Sequence, residues 1–186
     1  MASNVGKIRK MAQDIGHGMN NRSAGVYDPG ASYPGSDEHH QAERVGKLVL
    51  AKCKANGHPQ LLIQDQPLSR RPKIARAAHC DYYISHHLNA GGGTGTEVWI
   101  PLLAGSAWRR KAELVGKGVS VALGVPWRGV KRKASFAVFN FGARSMIIEY
   151  IFCDSKADRL KWEAPGAINK AAVAVTRGLI DGIQDL

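Results

Sequence analysis

The sequence predicts an α/β domain built on a largely parallel sheet, and three observations support that fold class. A chain of 186 residues suits one domain, which would bury about 70% of the surface that the unfolded chain exposes. Hydrophobic residues make up 44% and charged residues 22% of the chain, as in ordinary globular proteins. Strand-like and helix-like segments alternate, which favours parallel strands joined by helices. We expect one domain over residues 1–186, with residues 1–7 disordered.

The first half of the chain predicts two helices and two strands. Residues 38–56 place apolar side chains at helical spacing and stop at Asn56-Gly57, a common helix end. A short apolar run at residues 60–64 predicts a strand. The basic, alanine-rich residues 71–79 predict a second helix, and the aromatic and β-branched residues 82–87 predict a second strand.

The second half continues the alternation after a loop of three glycines. Residues 96–100 alternate between polar and apolar, as in a strand. Residues 107–123 return to helical spacing, and residues 124–129 predict a loop. The apolar residues 145–152 predict another strand, and residues 166–186 predict a closing amphipathic helix that contains two glycines.

The N-terminal segment departs from this pattern. Residues 7–13 are too polar for a central parallel strand, so we expect no such strand there. The start of the chain also lacks the apolar run of a secretory signal, and no apolar segment is long enough to span a bilayer. We therefore expect a soluble protein that is synthesised in the cytoplasm without a signal peptide.

The charge balance is unusual. Lysine and arginine outnumber aspartate and glutamate 26 to 15, which gives a net charge of +11. Such a charge on a small protein predicts attraction to polyanions, among which nucleic acid, anionic lipid and anionic cell-wall polymer all qualify.

His86 and His87 are adjacent in the strand predicted at residues 82–87. Because neighbouring side chains of a strand point to opposite faces, only one of these histidines shares a side with Ser85 and Asn89. That histidine is His87, which lies near the carboxyl end of the strand, where open α/β sheets bind ligands. His87 is therefore the candidate metal ligand, although the pair also fits a solvated strand end.

Two further candidates lie earlier in the chain. His17 sits between two glycines, which leave room for an unusual turn and for a bulky substrate, although a simple turn histidine would look the same. Glu38 opens the first predicted helix, where the helix dipole alone also favours a carboxylate. His39 and His40 do not share the helix face of Glu38, so at most one of the three residues points into a given site.

Glu149 is the hardest candidate to explain as purely structural. It follows the apolar residues Met146-Ile147-Ile148, and a carboxylate in a buried strand needs a cation or hydrogen-bond donors beside it. A metal with its bound water would be such a partner, and a salt bridge with an arginine is the alternative. Two histidines and one glutamate leave a metal position open, and a second glutamate can act as general base, which describes a hydrolase.

Seven stretches in order resemble the zinc-dependent N-acetylmuramoyl-L-alanine amidases of the amidase 3 family, which are cell-wall hydrolases of bacteria and phage endolysins. They are Gly16-His17-Gly18, Asp28-Pro29-Gly30-Ala31, Gly35-Ser36-Asp37-Glu38, Ser85-His86-His87-Leu88-Asn89-Ala90, Gly95-Thr96-Glu97-Val98, Arg128-Gly129-Val130-Lys131 and Ile147-Ile148-Glu149. Each motif is weak alone, but together they cover nearly the whole chain.

The resemblance implies that His17, Glu38 and His87 bind Zn²⁺ and that Glu149 is the catalytic glutamate. It also implies a mixed, mostly parallel sheet with helices on both faces. The implied substrate is the amide between the lactyl group of N-acetylmuramic acid and L-alanine in peptidoglycan. Asn89 and Arg128 are candidate substrate contacts.

Within this interpretation we expect a bacteriolytic, antimicrobial enzyme of the phage or prophage endolysin type. It would be a monomer without a separate wall-binding domain, and it would act on the cell wall after release from the cytoplasm. Its positive charge would draw it to the anionic cell envelope. We expect no dedicated nucleic-acid partner.

The alternative function is a basic binding protein for nucleic acid or anionic wall polymer, without catalysis. Its best support is residues 127–133, where a tryptophan adjoins arginines and lysines, although a solvated basic loop would have the same composition. A zinc assay separates the two functions, because a pure binder has no reason to retain stoichiometric metal.

Overall fold

A computed structural model describes residues 8–180, and it contains one six-stranded sheet, two small hairpin-like pairs and five α-helices. The strands are β1 (Met11–Ile15), β2 (Gly18–Met19), β3 (Tyr27–Asp28), β4 (Ser32–Tyr33), β5 (Ser36–Asp37), β6 (Gln60–Ile63), β7 (Tyr82–Asn89), β8 (Thr96–Pro101), β9 (Trp127–Lys133) and β10 (Ser145–Phe152). The helices are α1 (Glu38–Ala55), α2 (Arg71–Ala77), α3 (Ser106–Leu123), α4 (Lys156–Trp162) and α5 (Ala167–Ile180), with a 3-10 helix at Ala137–Phe141.

The central sheet is mixed and mostly parallel, as predicted. Its strand order is β6-β1-β7-β10-β8-β9, and the first four of these strands run parallel to one another. Strand β8 runs antiparallel to β10, and β9 pairs parallel to β8 at the edge of the sheet. Helices α1, α3 and α5 pack on one face, while α2 and the 3-10 helix cover part of the other.

The first strand corrects one prediction, since Met11–Ile15 forms a fully buried strand between β6 and β7. The strand begins after the lysines and arginine that made the segment look too polar. Its two polar side chains are paired: Gln13 donates to Gln60 Oε1 at 2.8 Å. Asp14 accepts from Arg71 at 3.0 Å and from the Ser85 hydroxyl at 2.6 Å. Such pairing removes most of the cost of burying polar groups in a central strand.

Strand β7 sends its two histidines to opposite faces, as the alternation predicted. His86 is fully buried on the face of α1, where its Nε2 lies 2.9 Å from Gln13 Oε1 and its Nδ1 lies 2.8 Å from the hydroxyl of Tyr150. Burial lowers the pKa of His86 to about 3, so this ring is a neutral part of the core. His87 points to the other face, which carries the smaller core with Tyr83.

The other differences from the predictions concern elements whose sequences lack a regular spacing of apolar residues. The loop predicted at 124–129 is wrong in part, because β9 begins at Trp127 and pairs with β8. Helix α4 and strands β2 to β5 were not predicted. The predicted disorder of residues 1–7, and the end of the last helix beyond residue 180, lie outside the described residues. Within residues 8–180, no helix combines the length and apolarity needed to cross a bilayer.

Candidate metal centre

Three predicted ligands come together at the carboxyl edge of the parallel strands. His17 follows β1, Glu38 opens α1, and His87 lies near the end of β7. His17 Nε2 is 3.0 Å and His87 Nδ1 is 2.8 Å from the same oxygen, Glu38 Oε1. One ligand atom from each residue lies within 4.8 Å of the others, which is a spacing that one metal ion can bridge. Two imidazole nitrogens and one carboxylate form a ligand set that zinc accepts.

Glycines at fixed places make this convergence possible. A Cβ atom on residue 16 would lie 2.5 Å from Cε1 of the His87 ring, so a larger residue there would displace the imidazole. Gly30 has a φ of +69°, and a Cβ there would lie 2.5 Å from Glu38 Oε2. His17 itself adopts a φ of 60°, which is uncommon for a residue with a side chain. The glycines around His17 therefore serve ligand packing as well as the turn.

Asp28 contacts the ring of His17 at Nδ1, on the side away from Glu38. Sequence reasoning gave Asp28 no role. Its Oδ2 lies 3.2 Å from His17 Nδ1 and also accepts from Asn21 at 2.6 Å. An Nδ1 hydrogen donated to this carboxylate leaves the lone pair of Nε2 facing Glu38, which is the tautomer that a metal ligand needs. Asp28 lies in Asp28-Pro29-Gly30-Ala31, one of the seven stretches that carry the family resemblance, and that stretch was the sequence signal for its role.

Glu38 is a buried carboxylate that stays ionised. Burial disfavours its charge, but the hydrogen bonds and charges of His17 and His87 outweigh burial and hold the pKa of Glu38 well below its usual range. Backbone N–H groups of Ala31 and Leu88 also donate to it, at 3.0 and 3.2 Å. Burial lowers the pKa of His87, but the bond to Glu38 outweighs it and raises that pKa to about 9. The site is thus a preformed, electrostatically matched cluster.

Glu149 lies beside this cluster, on β10 and opposite His87 in the strand register. Its Oε2 atom is buried and has no hydrogen-bond partner among residues 8–180. Burial, together with the nearby carboxylates of Glu38 and Glu97, raises the pKa of Glu149 to about 7 despite the opposing charge of His87. The salt bridge with an arginine that the sequence left open is not formed among the described residues. A half-buried carboxylate with one buried, unpaired oxygen beside a ligand set is typical of a group that meets substrate or water.

A second buried carboxylate, Glu97 on β8, lies opposite Glu149 of β10 in the strand register. Unlike Glu149, it is fully used: Asn89 and Trp99 both donate to its Oε1 at 2.9 Å. Arg128 donates to its Oε2, also at 2.9 Å. The structure therefore joins both candidate substrate contacts, Asn89 and Arg128, to one carboxylate near the site. Their contact with substrate stays a prediction.

The ligand set and Glu149 line one cavity of about 370 Å³. Its other lining residues include Asn89, Arg22 and Phe136. A cavity of this size with a few convergent polar groups is the usual form of a small catalytic site. Three ligands, one open metal position and an adjacent carboxylate can together activate water and polarise a carbonyl, which is the requirement for hydrolysis of an amide.

Comparisons with known proteins find amidases. A family model described as N-acetylmuramoyl-L-alanine amidase, of the amidase 3 family, matches residues 13–181. The N-acetylmuramoyl-L-alanine amidase CwlM of Bacillus licheniformis is 28% identical over 178 residues, which span 91% of this chain and 67% of that protein.

Solved structures show the same fold at lower identity. The catalytic domain of the amidase CwlV from Bacillus (Paenibacillus) polymyxa var. colistinus has a TM-score of 0.81 and 19% identity, covering 95% of this chain and 99% of that domain. The catalytic domain of CD27L, an endolysin that targets Clostridia difficile, has a TM-score of 0.77 and 20% identity, covering 92% and 96% of the two chains.

Proposed function

The chain belongs to the amidase 3 family of N-acetylmuramoyl-L-alanine amidases, and on that premise we propose that His17, Glu38 and His87 hold a zinc ion while Glu149 acts as general base. Amidase activity on peptidoglycan follows from the family. The finer assignment is supported above all by one observation: an unpaired buried carboxylate oxygen of Glu149 lies beside two histidines that converge on Glu38.

The residues divide the work of hydrolysis. Bound zinc supplies Lewis-acid polarisation of the scissile carbonyl and of water. Glu149, whose pKa is raised to about 7, can accept a proton from the attacking water and deliver it to the amine of L-alanine as it leaves. Asp28 fixes the ring of His17, and the backbone donors of Ala31 and Leu88 fix Glu38. These contacts keep the ligand atoms in place through the reaction.

The bond that is cleaved and the need for metal can be tested together. Purified peptidoglycan is incubated with the chain, and the products are identified by mass spectrometry. We expect free stem peptides with an L-alanine amino terminus and intact glycan strands. A chelator should reduce this release by at least about a hundredfold, and Zn²⁺ should restore it. Release that persists in the metal-free protein would exclude the zinc assignment, and cleavage at another bond would exclude the substrate.

The release pathway is a separate proposal. We propose that the protein acts as a monomeric endolysin of phage or prophage type, made in the cytoplasm and bacteriolytic once it reaches the wall. The likeness to the catalytic domain of the endolysin CD27L is compatible with this role but concerns the fold alone. The net charge of +11 supports attraction to the anionic envelope.

Salt should weaken that attraction. Because exposed charges separated by more than about 8 Å are largely screened at 0.15 M ionic strength, lysis of whole cells should fall steeply between about 0.05 and 0.5 M NaCl. Turnover of a small soluble muropeptide carries less of this dependence and serves as the control. Cell-wall binding that stays constant over this range of salt would exclude charge attraction as the cause of binding. The same measurements test the alternative function, because a non-catalytic polyanion binder would bind cell walls in a salt-dependent way without any turnover of the muropeptide.

A further inference from the structure

The edge strand β9 places cations on the same side of the sheet as Glu149. Partners in adjacent strands point to the same face, and Glu97, the partner of Glu149, is followed two residues later on β8 by Trp99. Trp99 is paired with Lys131 on β9. Lys133 comes two residues later and returns to the same face. Lys131 and Lys133 form what we name the β9 lysine pair.

An aromatic ring connects the β9 lysine pair to the catalytic cavity. The ammonium of Lys133 lies 4.5 Å from the ring centroid of Phe136. Phe136 lines the cavity that holds His17 and Glu149, and it also packs edge-on against Trp99 at 5.5 Å. Phe136 therefore connects the wall of the cavity to Trp99 and to the ammonium of Lys133.

The two ammonium groups are available to a ligand. Within residues 8–180, no carboxylate lies within ion-pairing distance of Lys131 or Lys133. Arg128, on the same strand, is instead engaged by Glu97 at 2.9 Å. Arg132 alternates to the opposite face, opposite Ile100, and donates to the carbonyl of Leu102. The two lysines of this strand, which form no ion pair among residues 8–180, thus lie on the face of the catalytic site.

The chemistry of the substrate suggests what these cations meet. The glycan strand is uncharged, whereas the peptide arm released by the reaction carries free carboxylates. We propose that the β9 lysine pair binds carboxylates of the stem peptide and so directs the peptide arm across β8 and β9, with Lys133 beside Phe136 of the cavity wall. This inference rests on the proposed function, and it names which part of the substrate lies on which side of Glu149.

The spacing agrees with this assignment. Residues two apart on one strand lie about 7 Å apart, which is also the reach of two residues of an extended peptide. Two carboxylates along one arm can therefore contact both lysines at once. An anionic wall polymer bearing phosphates is the rival ligand, but such a polymer has no requirement for a surface that leads into the catalytic cavity.

A binding experiment separates the peptide arm from general charge attraction. The background for all variants is the zinc-loaded chain with Glu149→Gln, which cannot turn over its substrate. The test variant adds Lys131→Gln and Lys133→Gln to this background. The matched control changes two lysines of the opposite helical layer, Lys117→Gln with Lys170→Gln. Calorimetry measures the Kd for N-acetylmuramoyl tetrapeptide and for the same compound with its carboxylates converted to amides. Poly(glycerol phosphate) is titrated as the third probe.

We expect the β9 substitutions to weaken binding of the free-acid muropeptide about fivefold and binding of the amidated compound not at all. The control pair should leave both constants unchanged. Equal losses in the two double variants would show general charge attraction and overturn the proposal. A loss confined to poly(glycerol phosphate) would assign the surface to wall polymer and overturn it as well. Failure of the proposed function is recognised separately, because wild-type chain would then release no peptide from peptidoglycan.

Discussion

Replacing Glu149 with glutamine is expected to lower kcat for amide hydrolysis by about a thousandfold while zinc content stays near one ion per chain. Glutamine keeps the size of the side chain but cannot accept and return a proton. Of the three proposed ligands, His17 follows β1, Glu38 opens α1 and His87 lies on β7. Among residues 8–180, none of them forms a hydrogen bond with Glu149. Zinc is measured by atomic absorption and turnover by release of L-alanine peptides. Substantial turnover in this variant would remove Glu149 from the mechanism.

The same substitution should stabilise the metal-free protein above neutral pH. Because folding raises the pKa of Glu149 from 4.5 to about 7, the folded state holds this proton more tightly than the unfolded state. The free energy of unfolding therefore declines as pH rises from about 4.5 to about 7, and the full penalty persists at higher pH. Glutamine carries no charge, so we expect a gain of about 3 kcal/mol at pH 8 and little change at pH 4.

Glu97 provides the matched control for this result. It is the cross-strand partner of Glu149 and is equally part of the sheet, but three donors satisfy it: Asn89, Trp99 and Arg128. Changing Glu97 to glutamine breaks an ion pair instead of relieving an unpaired charge, and it should cost about 1 kcal/mol at pH 8. A gain of stability in both variants would mean that the sheet simply disfavours any carboxylate, and the special status of Glu149 would be lost.

Replacing His87 with glutamine is expected to abolish stoichiometric zinc binding and to lower amidase activity by about a thousandfold at equimolar zinc. The substitution removes one of three ligands and leaves two, which hold zinc weakly. It also removes the ring that packs against Gly16. Zinc content after dialysis and activity against added zinc are the two measurements.

Excess metal distinguishes a lost ligand from a lost proton acceptor. Activity of the His87 variant should recover in part at high zinc concentration, whereas the Glu149 variant should not respond. His40→Gln serves as the control, because His40 is an exposed neighbour of the ligand Glu38 and forms its contacts with Asp37 and Tyr27. Full zinc retention by the His87 variant would place the metal elsewhere and contradict the ligand assignment.

Strand alternation and helix periodicity were strong enough in the sequence to determine several features. Helix α1 and strand β10 match their predicted bounds within one residue, and β7 separates His86 from His87 as predicted. The four residues His17, Glu38, His87 and Glu149 were also named from sequence. Strand alternation favoured His87 over His86, and the apolar run before Glu149 marked that carboxylate, while the family resemblance joined all four residues into one site.

The first strand shows why sequence reasoning failed elsewhere. Residues 7–13 look too polar for a central parallel strand, yet Met11–Ile15 forms one, and its Gln13 and Asp14 are satisfied by residues 47 to 73 positions away. Edge strand β9 was missed for a related reason, since its composition is that of a loop and only pairing with β8 makes it a strand. Whether a polar residue is tolerated depends on its distant partners, and no local pattern records them.

The sequence by itself determined the fold class, the family resemblance and the identity of the candidate ligands. Only the tertiary structure decided that His17 and His87 converge on one oxygen of Glu38 and that Asp28 lies beside Nδ1 of His17. It also decided that, among residues 8–180, Glu149 Oε2 has no partner whereas Glu97 has three donors. Residue types and spacing along the chain set which groups are available. Distances between segments and the desolvation of each carboxylate arise from packing, so they exist only in the folded chain.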